Sequence, residues 1–208
     1  MHKVRLPKII LCVATAFVIG GCADDTSYRI HGVLENGSLD GHYIYLVPAE
    51  AQDVPDFKDS VMIEGGRFCF EGREERVCLI KPGYDDALML QALLVVTEPG
   101  DIVATCAKVG RVTGTPQNDQ MQYWKEVNEN LMETRRKYYQ RMVETSTHED
   151  SAAFKQVTDS LNAFEIDFNY KFIIEAGRST LGRFFYKRKR MAVPEEQRHE
   201  LNAIFVED

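Results

Sequence analysis

The 208-residue sequence lacks three features that would point directly to a function. No Cys-x-x-Cys pair is present, which excludes the usual spacing of a dithiol redox centre. The apolar run at residues 9–19 would span only about 16 Å as a helix, against a membrane core of roughly 30 Å, so it is too short for a comfortable permanent span. No nucleophile–base pair and no metal-ligand spacing is found, so the sequence favours a protein that is not an enzyme and uses no cofactor.

The first 21 residues have the pattern of a secretory signal. A basic segment without acids precedes the apolar run and two glycines. Ile19-Gly20-Gly21-Cys22 resembles a bacterial lipobox, in which the cysteine becomes the N-terminus and takes a diacylglyceryl group and an acyl chain such as palmitate. We therefore expect a signal peptide over residues 1–21, a tether over residues 22–27 and a permanent lipid anchor at Cys22. An ordinary cleaved signal and an uncleaved stub are the alternatives.

The expected location follows from this anchor. Ala23-Asp24-Asp25 resembles the acidic tag that sends some lipoproteins to the outer face of the outer membrane. We expect a lipid-anchored protein of the outer membrane, and leave periplasmic and surface-exposed orientations open. Loss of Lys3, Arg5 and Lys8 with the signal removes three positive charges and takes the net charge from -7 to -10. Because such an acidic body is a poor candidate for nucleic acid, the expected partners are the membrane and an envelope protein.

Short β patterns fill residues 28–115. Runs typical of strands alternate with turn residues, and the most apolar run, Leu88–Val96, is expected to be a central strand. Asn36-Gly37 and Gly65-Gly66 each predict a hairpin between the flanking strands, and the charged segment Glu71–Glu75 predicts a third. We expect an antiparallel β-sandwich or barrel-like domain over residues 28–115.

Helical periodicity takes over in residues 116–208. Thr115-Pro116 supplies a cap and a proline at the first helical position. Ser146–Glu149 predicts a capping box that opens a second long helix, and Gly177 ends that helix. The fold class is therefore α+β: an N-terminal antiparallel β-sandwich or barrel-like domain, then a long helical hairpin and short C-terminal helices.

Three segments in order resemble the DUF4369 family, a domain of unknown function found in bacterial lipoproteins. They are Asp59–Gly72, Thr97-Glu-Pro-Gly-Asp-Ile102 and Val112-Thr-Gly-Thr-Pro-Gln-Asn118. The family's domain commonly stands N-terminal to thioredoxin-like thiol-disulfide oxidoreductase domains, and Ser179–Tyr186 is similar to the segment that joins the two. The sequence ends at Asp208, where that second domain would begin, so no catalytic residue is carried over. The resemblance implies the membrane-anchored accessory part.

Two groups of side chains deserve testing as sites. If Arg73-Glu74 is a hairpin tip, Cys69 and Cys78 lie opposite each other, with Cβ atoms about 4.5–5.5 Å apart, slightly long for a disulfide. Export favours that bond, and separate packed thiols, together with Cys106, are the alternative. His31 and His42 face each other if Asn36-Gly37 is a two-residue turn, with Asp40 as the nearest third ligand. Two such histidines are usually polar neighbours, so no metal is expected.

The remaining polar and aromatic patterns are expected to be structural. We expect a solvated loop and not a calcium site at Asp53, Asp56 and Asp59, and solvated acidic pairs and not catalytic carboxylates at Asp85-Asp86 and Glu195-Glu196. We expect a solvated helix face and not a headgroup contact at Arg183 with Lys187–Arg190. We expect core packing and not a carbohydrate platform for the aromatic residues Tyr43, Tyr45, Trp124, Tyr138 and Tyr139. The leading prediction is a non-enzymatic, lipid-anchored binding or accessory module. The alternative is an accessory factor in envelope thiol-disulfide exchange that acts with a thioredoxin-like partner.

Overall fold

The structure, a computed structural model, describes residues 26–35, 39–50, 59–83, 91–145 and 148–205. Within these residues the strands lie between residues 28 and 113 and the helices between residues 116 and 205. The strands are β1 (Tyr28–Leu34), β2 (Tyr43–Pro48), β3 (Asp59–Met62), β4 (Arg67–Gly72), β5 (Val77–Pro82), β6 (Leu93–Val96), β7 (Gly100–Cys106) and β8 (Arg111–Thr113). The helices are α1 (Pro116–Thr145), α2 (His148–Ala176), α3 (Thr180–Lys189) and α4 (Glu195–Phe205), with a 3-10 turn at Arg190–Ala192.

The eight described strands form two four-stranded sheets. Sheet A has the order β4-β1-β7-β8 and sheet B the order β3-β2-β5-β6. Neighbouring strands are antiparallel, as predicted, except that β1 and β7 run parallel, with Tyr28 beside Gly100. The α+β class is thus confirmed, and the parallel pair is a detail that hairpin signals do not predict.

The two sheets pack face to face around an aliphatic interior. Alternate residues of each strand point inward, which is the period-two pattern of a sheet with one buried face. The innermost side chains have at most 1% of their surface exposed and come from both sheets: Ile30, Phe70 and Ile102 from sheet A, and Ile44, Ile80 and Val95 from sheet B. Gly32 is required in this layer, because the ring of Phe68 on the neighbouring strand occupies the place of a Cβ atom.

The predicted hairpin pairings are wrong. β1 pairs with β4 and β7, and β2 pairs with β3 and β5, so β1 and β2 lie in different sheets. The segments after β3 and after β4 also cross between sheets, although Gly65-Gly66 does form a tight turn closed by an isolated bridge between Glu64 and Arg67. Alternation of apolar residues specifies one buried face and does not specify the neighbouring strand. Asn36-Gly37 lies outside the described residues.

The strand predicted to be central lies at an edge. β6 pairs only with β5 among the described strands, and residues 88–90 of the predicted run lie outside the described residues. β6 is apolar because both of its faces are covered: Leu93 and Val95 point into the sandwich, and Val96 points into a second core. Burial on two faces therefore reflects a third layer and not a central position.

The helices supply that third layer. The second core lies between the outer face of sheet B and the C-terminal part of the chain, and five of its thirteen buried members are aromatic. They include Val77 and Val96 of sheet B, Phe172 and Ile173 of α2, Leu181, Phe184 and Phe185 of α3, and Leu201 and Phe205 of α4. The sandwich and the helices are therefore joined by a continuous apolar core.

The long helices form the predicted antiparallel hairpin. Contacts between α1 and α2 follow an antiparallel order: Trp124 bonds Asn169, Arg135 bonds Glu165, and the ring of Tyr138 stacks on that of Phe154. Beyond Leu131 the two helices contact mainly each other, and we call residues 132–145 and 148–165 the outer hairpin. No helix within the described residues is both long enough and apolar enough to cross a membrane.

Candidate functional site

Two of the three segments that carry the family resemblance, residues 97–102 and 112–118, meet at the first turn of α1. Glu98 is buried, and its carboxylate accepts hydrogen bonds from the backbone N–H groups of Gln117, at 2.6 Å, and Asn118, at 3.0 Å. These N–H groups have no partner within the helix, and a carboxylate at this end also complements the helix dipole. Gln117 in turn accepts the N–H of Leu181, which attaches the start of α3 to the start of α1. The role of these segments is structural.

The same helix bonds one edge strand of each sheet. Asn118 is fully buried and bonds Val96 of β6 twice, accepting from its N–H at 2.8 Å and donating to its carbonyl at 2.7 Å, as a neighbouring strand would. Four residues on, Gln122 accepts the N–H of Val112 in β8 at 3.1 Å. One face of α1 thus satisfies edge groups that would otherwise be buried without partners or left to pair with another chain. Asn118 and Gln122, two amides four residues apart on a buried helix face, are the sequence feature that could have predicted this contact with the sheet edges.

We call Asn118 and Gln122 the edge caps. Beyond them the line along which α1 meets β6 and β8 opens into a groove. Its inner part is a cavity of about 190 Å³ with largely apolar walls, and it leads into a shallower trough of about 420 Å³ along α1. We call the two together the α1 groove. The cavity is lined by Gln91, Ala92, Leu93, Leu94, Gly110, Val112, Met121, Gln122, Trp124 and Lys125; Asn128, Glu129, Met132, Glu133 and Arg136 continue the trough.

Trp124 lies where the cavity joins the trough. Its indole Nε1 donates to Asn169 at 2.8 Å, and its ring packs 4.6 Å from the ring of Phe185, so one side belongs to the second core. The ring is only half-buried, and its other side lines the groove. Trp124 was expected to lie in the core, and it both packs in the second core and lines the groove. It is also the single tryptophan of the sequence.

The polar side chains of the groove are engaged with one another or with the backbone. Lys125 donates to the carbonyl of Gly110. Arg136 donates two hydrogen bonds of 2.8 Å to Glu133, and these bonds, with a weaker contribution from Lys137, hold the pKa of Glu133 well below its ordinary value. The groove therefore offers apolar contact at its floor and a charge-paired rim.

The cysteines do not form the predicted opposed pair. Cys69 lies on the exposed face of sheet A, beside His31, whereas Cys78 lies in sheet B and points into the sandwich interior. The juxtaposition fails because the segment 73–76 carries the chain from one sheet to the other. Cys69, Cys78 and Cys106 are free thiols in the structure, and Cys22 lies outside the described residues.

The surroundings of all three thiols favour the protonated form. Burial raises the pKa of Cys78 and of Cys106 to about 11. Burial and the neighbouring Glu71 carboxylate raise the pKa of Cys69 as well, although Arg29 opposes the shift. Because the thiolate is the nucleophile in exchange reactions, these surroundings make the thiols less reactive than an ordinary cysteine at neutral pH.

The prediction that His31 and His42 face each other is also wrong. His31 is on β1 of sheet A, with Nε2 3.3 Å from the carboxylate of Asp101, whereas His42 directly precedes β2 of sheet B. Asp40 accepts the N–H groups of Gly65 and Gly66, at 3.1 and 2.6 Å, and so stabilises their turn. Among the described residues, no group of three His, Cys, Asp or Glu side chains is placed to hold a metal ion.

The basic residues of α3 and the following turn pack back onto the protein. Lys187 pairs with Glu50 at 3.3 Å, and the guanidinium of Arg188 lies 4.4 Å from the centre of the Phe184 ring. Arg190 lies over Tyr186 in the same way. Arg183, Lys187 and Arg188 nevertheless remain exposed, as expected for a solvated helix face, and the guanidinium groups of Arg188 and Arg190 cover aromatic rings.

The other sequence-predicted groups are dispersed. Glu195 and Glu196 occupy the first turn of α4, where acidic side chains favour a helix. Tyr43 on β2 and Tyr139 on the outer hairpin are more than half exposed, so the expected core packing is wrong for these two, and on separate elements they do not form one platform. Asp59 begins the edge strand β3, and Asp53, Asp56, Asp85 and Asp86 lie outside the described residues.

Comparison with known proteins gives one match. Residues 28–121 match the family model for DUF4369, a domain of unknown function, which confirms the resemblance drawn from the three segments. No curated protein and no solved structure matches the chain. The matched residues include β1–β8 and the start of α1, and thus contain Asn118 and the β6 and β8 wall of the groove, whereas Gln122 follows directly after the match.

Proposed function

We propose that the protein, whose residues 28–121 match the DUF4369 family model, is a lipid-anchored, non-enzymatic binding module of the bacterial cell envelope, which takes up an apolar group in the α1 groove. The observation that carries the proposal is the groove itself. It has an apolar floor and a paired polar rim, and it lies where two sheet edges and a helix meet.

The dimensions and lining of the groove support binding. Sites for small ligands measure roughly 300–1,000 Å³ and combine apolar walls with a few polar groups. The cavity of about 190 Å³ is small by this measure, and the adjoining trough of about 420 Å³ brings the groove into the range. Met121 and Met132 lie along its length, and flexible thioether side chains suit a surface that adapts to its ligand.

The chemistry of the described residues supports a non-enzymatic role. Gln122, Lys125 and Glu133, which would be the obvious catalytic candidates in the groove, are each committed to a structural partner. The alternative role in thiol-disulfide exchange needs an accessible thiolate. The surroundings of Cys69, Cys78 and Cys106 disfavour that form, so the alternative gains no support from the described thiols.

The intrinsic fluorescence of Trp124 tests the binding site, because no other tryptophan contributes to the signal. The apolar ring system of a naphthalenesulfonate dye bound in the groove would accept energy from Trp124, and we expect saturable transfer. Met132→Asn should weaken dye binding by about tenfold, which corresponds to 1.4 kcal/mol. Tyr123→Asn is the matched control, since Tyr123 is 56% exposed against 54% for Met132 and projects from the opposite side of α1. Transfer that does not saturate, or equal loss in both variants, would contradict the proposal.

Substitution of the proposed lipidation site tests the anchor. The full chain expressed with its signal should sediment with envelopes and resist extraction by high salt, because acyl chains and not charge hold it there. Cys22→Ser should release the protein into the soluble fraction. If the Cys22→Ser protein still sediments and resists salt, the anchor at Cys22 is wrong, whatever the groove binds.

A further inference from the structure

We infer that the bilayer faces the end of the sandwich at which β1 begins, so that the helical hairpin and the α1 groove point away from the membrane. This inference rests on the proposed lipid anchor at Cys22. It assigns the membrane-facing end of the protein, and it implies that the ligand of the groove arrives from the aqueous side.

One end of the sandwich collects the start of the described chain and the ends of its neighbours. Tyr28, the first residue of β1, lies beside Gly72 at the end of β4 and beside Gly100 at the start of β7. Just before β1, the carbonyl of Ser27 accepts the N–H of Gly100 at 2.9 Å. We call this the β1 end.

The covalent chain keeps the β1 end near the anchor. Six Cα–Cα steps separate Cys22 from Tyr28, and a chain of this length reaches at most about 22 Å when fully extended. The sandwich is about as long as this limit, because the six steps of β7 from Gly100 to Cys106 span roughly 20 Å. The anchor therefore restrains one end of the sandwich far more closely than the other.

The first helix runs from the β1 end to the opposite end. Asn118 bonds Val96, four residues before Gly100, so α1 begins at the β1 end. Gln122 then bonds Val112, and Lys125 bonds Gly110, which precedes β8. Because β8 is antiparallel to β7, Gly110 lies at the end where β7 finishes. The direction of α1 is thus away from the anchor.

The outer hairpin extends well beyond the sandwich. Twenty residues of α1 follow Lys125, and at about 1.5 Å each they carry the helix about 30 Å farther. The tip is then roughly 50 Å from the β1 end, when the rise of the sandwich is included. That distance is more than twice the reach of the tether, so the tip meets the bilayer only if the whole molecule lies on its side.

Charge opposes the sideways arrangement. The chain without its signal carries a net charge of -10, since -7 is lowered by the loss of three basic residues. Anionic headgroups repel such a body, and the repulsion is least when the smallest area faces them. The end-on arrangement presents only the β1 end, with the exposed segment 73–75 among its loops.

A series of single tryptophans tests the arrangement on the lipidated full chain in vesicles. Arg73→Trp at the β1 end, Lys108→Trp at the far end of the sandwich and Gln140→Trp on the outer hairpin would each be made in a Trp124→Phe background. All three positions are exposed. With nitroxide placed on the lipid headgroups, we expect strong quenching at position 73 and several-fold weaker quenching at positions 108 and 140. Circular dichroism of each variant checks that the fold is retained.

The outcomes separate this inference from the proposed anchor. Vesicle flotation of the same samples reports anchoring, and a chain that does not float overturns the anchor and the inference together. A chain that floats but is quenched at position 140 as strongly as at position 73 lies flat, which overturns the inference alone. Strong quenching at position 108 with little at position 73 would reverse the assigned end.

Discussion

The inner and outer parts of the same helical hairpin differ sharply in burial. At the inner end, Met121 and Phe172 have 4% and 2% of their surface exposed, whereas Tyr139 and Val143 on the outer hairpin have 57% and 54% exposed. Both parts show apolar residues at helical spacing. The inner part meets sheet B and α3, whereas among the described residues the outer part meets mainly its partner helix. Helical periodicity predicts that a face is apolar, and the surrounding layers decide whether that face is covered.

The inner end should be the most sensitive to substitution. In Asn118→Ala the N–H and the carbonyl of Val96 lose their partner, as does the hydroxyl of Thr115, which accepts from Asn118 at 2.7 Å. Each buried polar group without a partner costs about 1–3 kcal/mol, so we expect the free energy of unfolding to fall by about 3 kcal/mol. Urea unfolding followed by circular dichroism measures the change.

Asn128→Ala is the matched control for this substitution. Asn128 is on the same helix, is only half-buried, and bonds the carbonyl of Trp124 within its own helix. Its replacement should cost less than about 0.5 kcal/mol, as is usual at such positions. Equal losses in the two variants would mean that the sheet edges do not depend on the cap.

A smaller effect, confined to alkaline pH, should distinguish the closed interior from the open face of sheet A. Burial raises the pKa of Cys106 to about 11 from an ordinary 9.0, so above pH 9 the unfolded chain gains more from ionisation than the folded chain does. The neutral Cys106 thiol makes its full contribution to the free energy of unfolding below pH 9, and this contribution is lost as the pH rises through 11. At pH 10 the loss is about 1.4 kcal/mol.

The comparison of variants isolates this contribution from other groups that titrate at high pH. Unfolding free energies at pH 8 and pH 10 should differ by about 1.4 kcal/mol less in Cys106→Ala than in the parent protein. Cys69→Ala should change the pH dependence less, because Cys69 is exposed and Arg29 opposes the rise in its pKa. A Cys106→Ala protein with the parent's pH dependence would place this thiol in contact with water.

Local features of the fold were predictable because local physics determines them. The cap and proline at Thr115-Pro116 begin α1, and Gly177, with φ of 55°, ends α2 as predicted. The partners of β1 were not predictable in this way. The choice between β2 and β4 as its neighbour depends on which sheet each strand enters, and the alternating pattern of β1 is compatible with both.

The groove was harder to predict than the fold. Trp124, Asn128 and Met132 follow one face of α1, so their spacing was visible, but the opposite wall comes from β6 and β8. Only tertiary structure brings Leu94 and Val112 to this helix. The buried amides Asn118 and Gln122 were the one local sign that polar sheet edges meet α1.

The outer hairpin should tolerate substitutions that the inner end does not. Tyr139→Ser and Val143→Ser each remove an apolar side chain that is more than half exposed, so little burial is lost and the unfolding free energy should fall by less than about 0.5 kcal/mol. Ile173→Ser is the contrast, since Ile173 has no exposed surface, and the buried cavity and unpaired hydroxyl should cost several kcal/mol. A large loss for either outer variant would mean that this face is covered in solution, and the distinction between the two parts of the hairpin would fail.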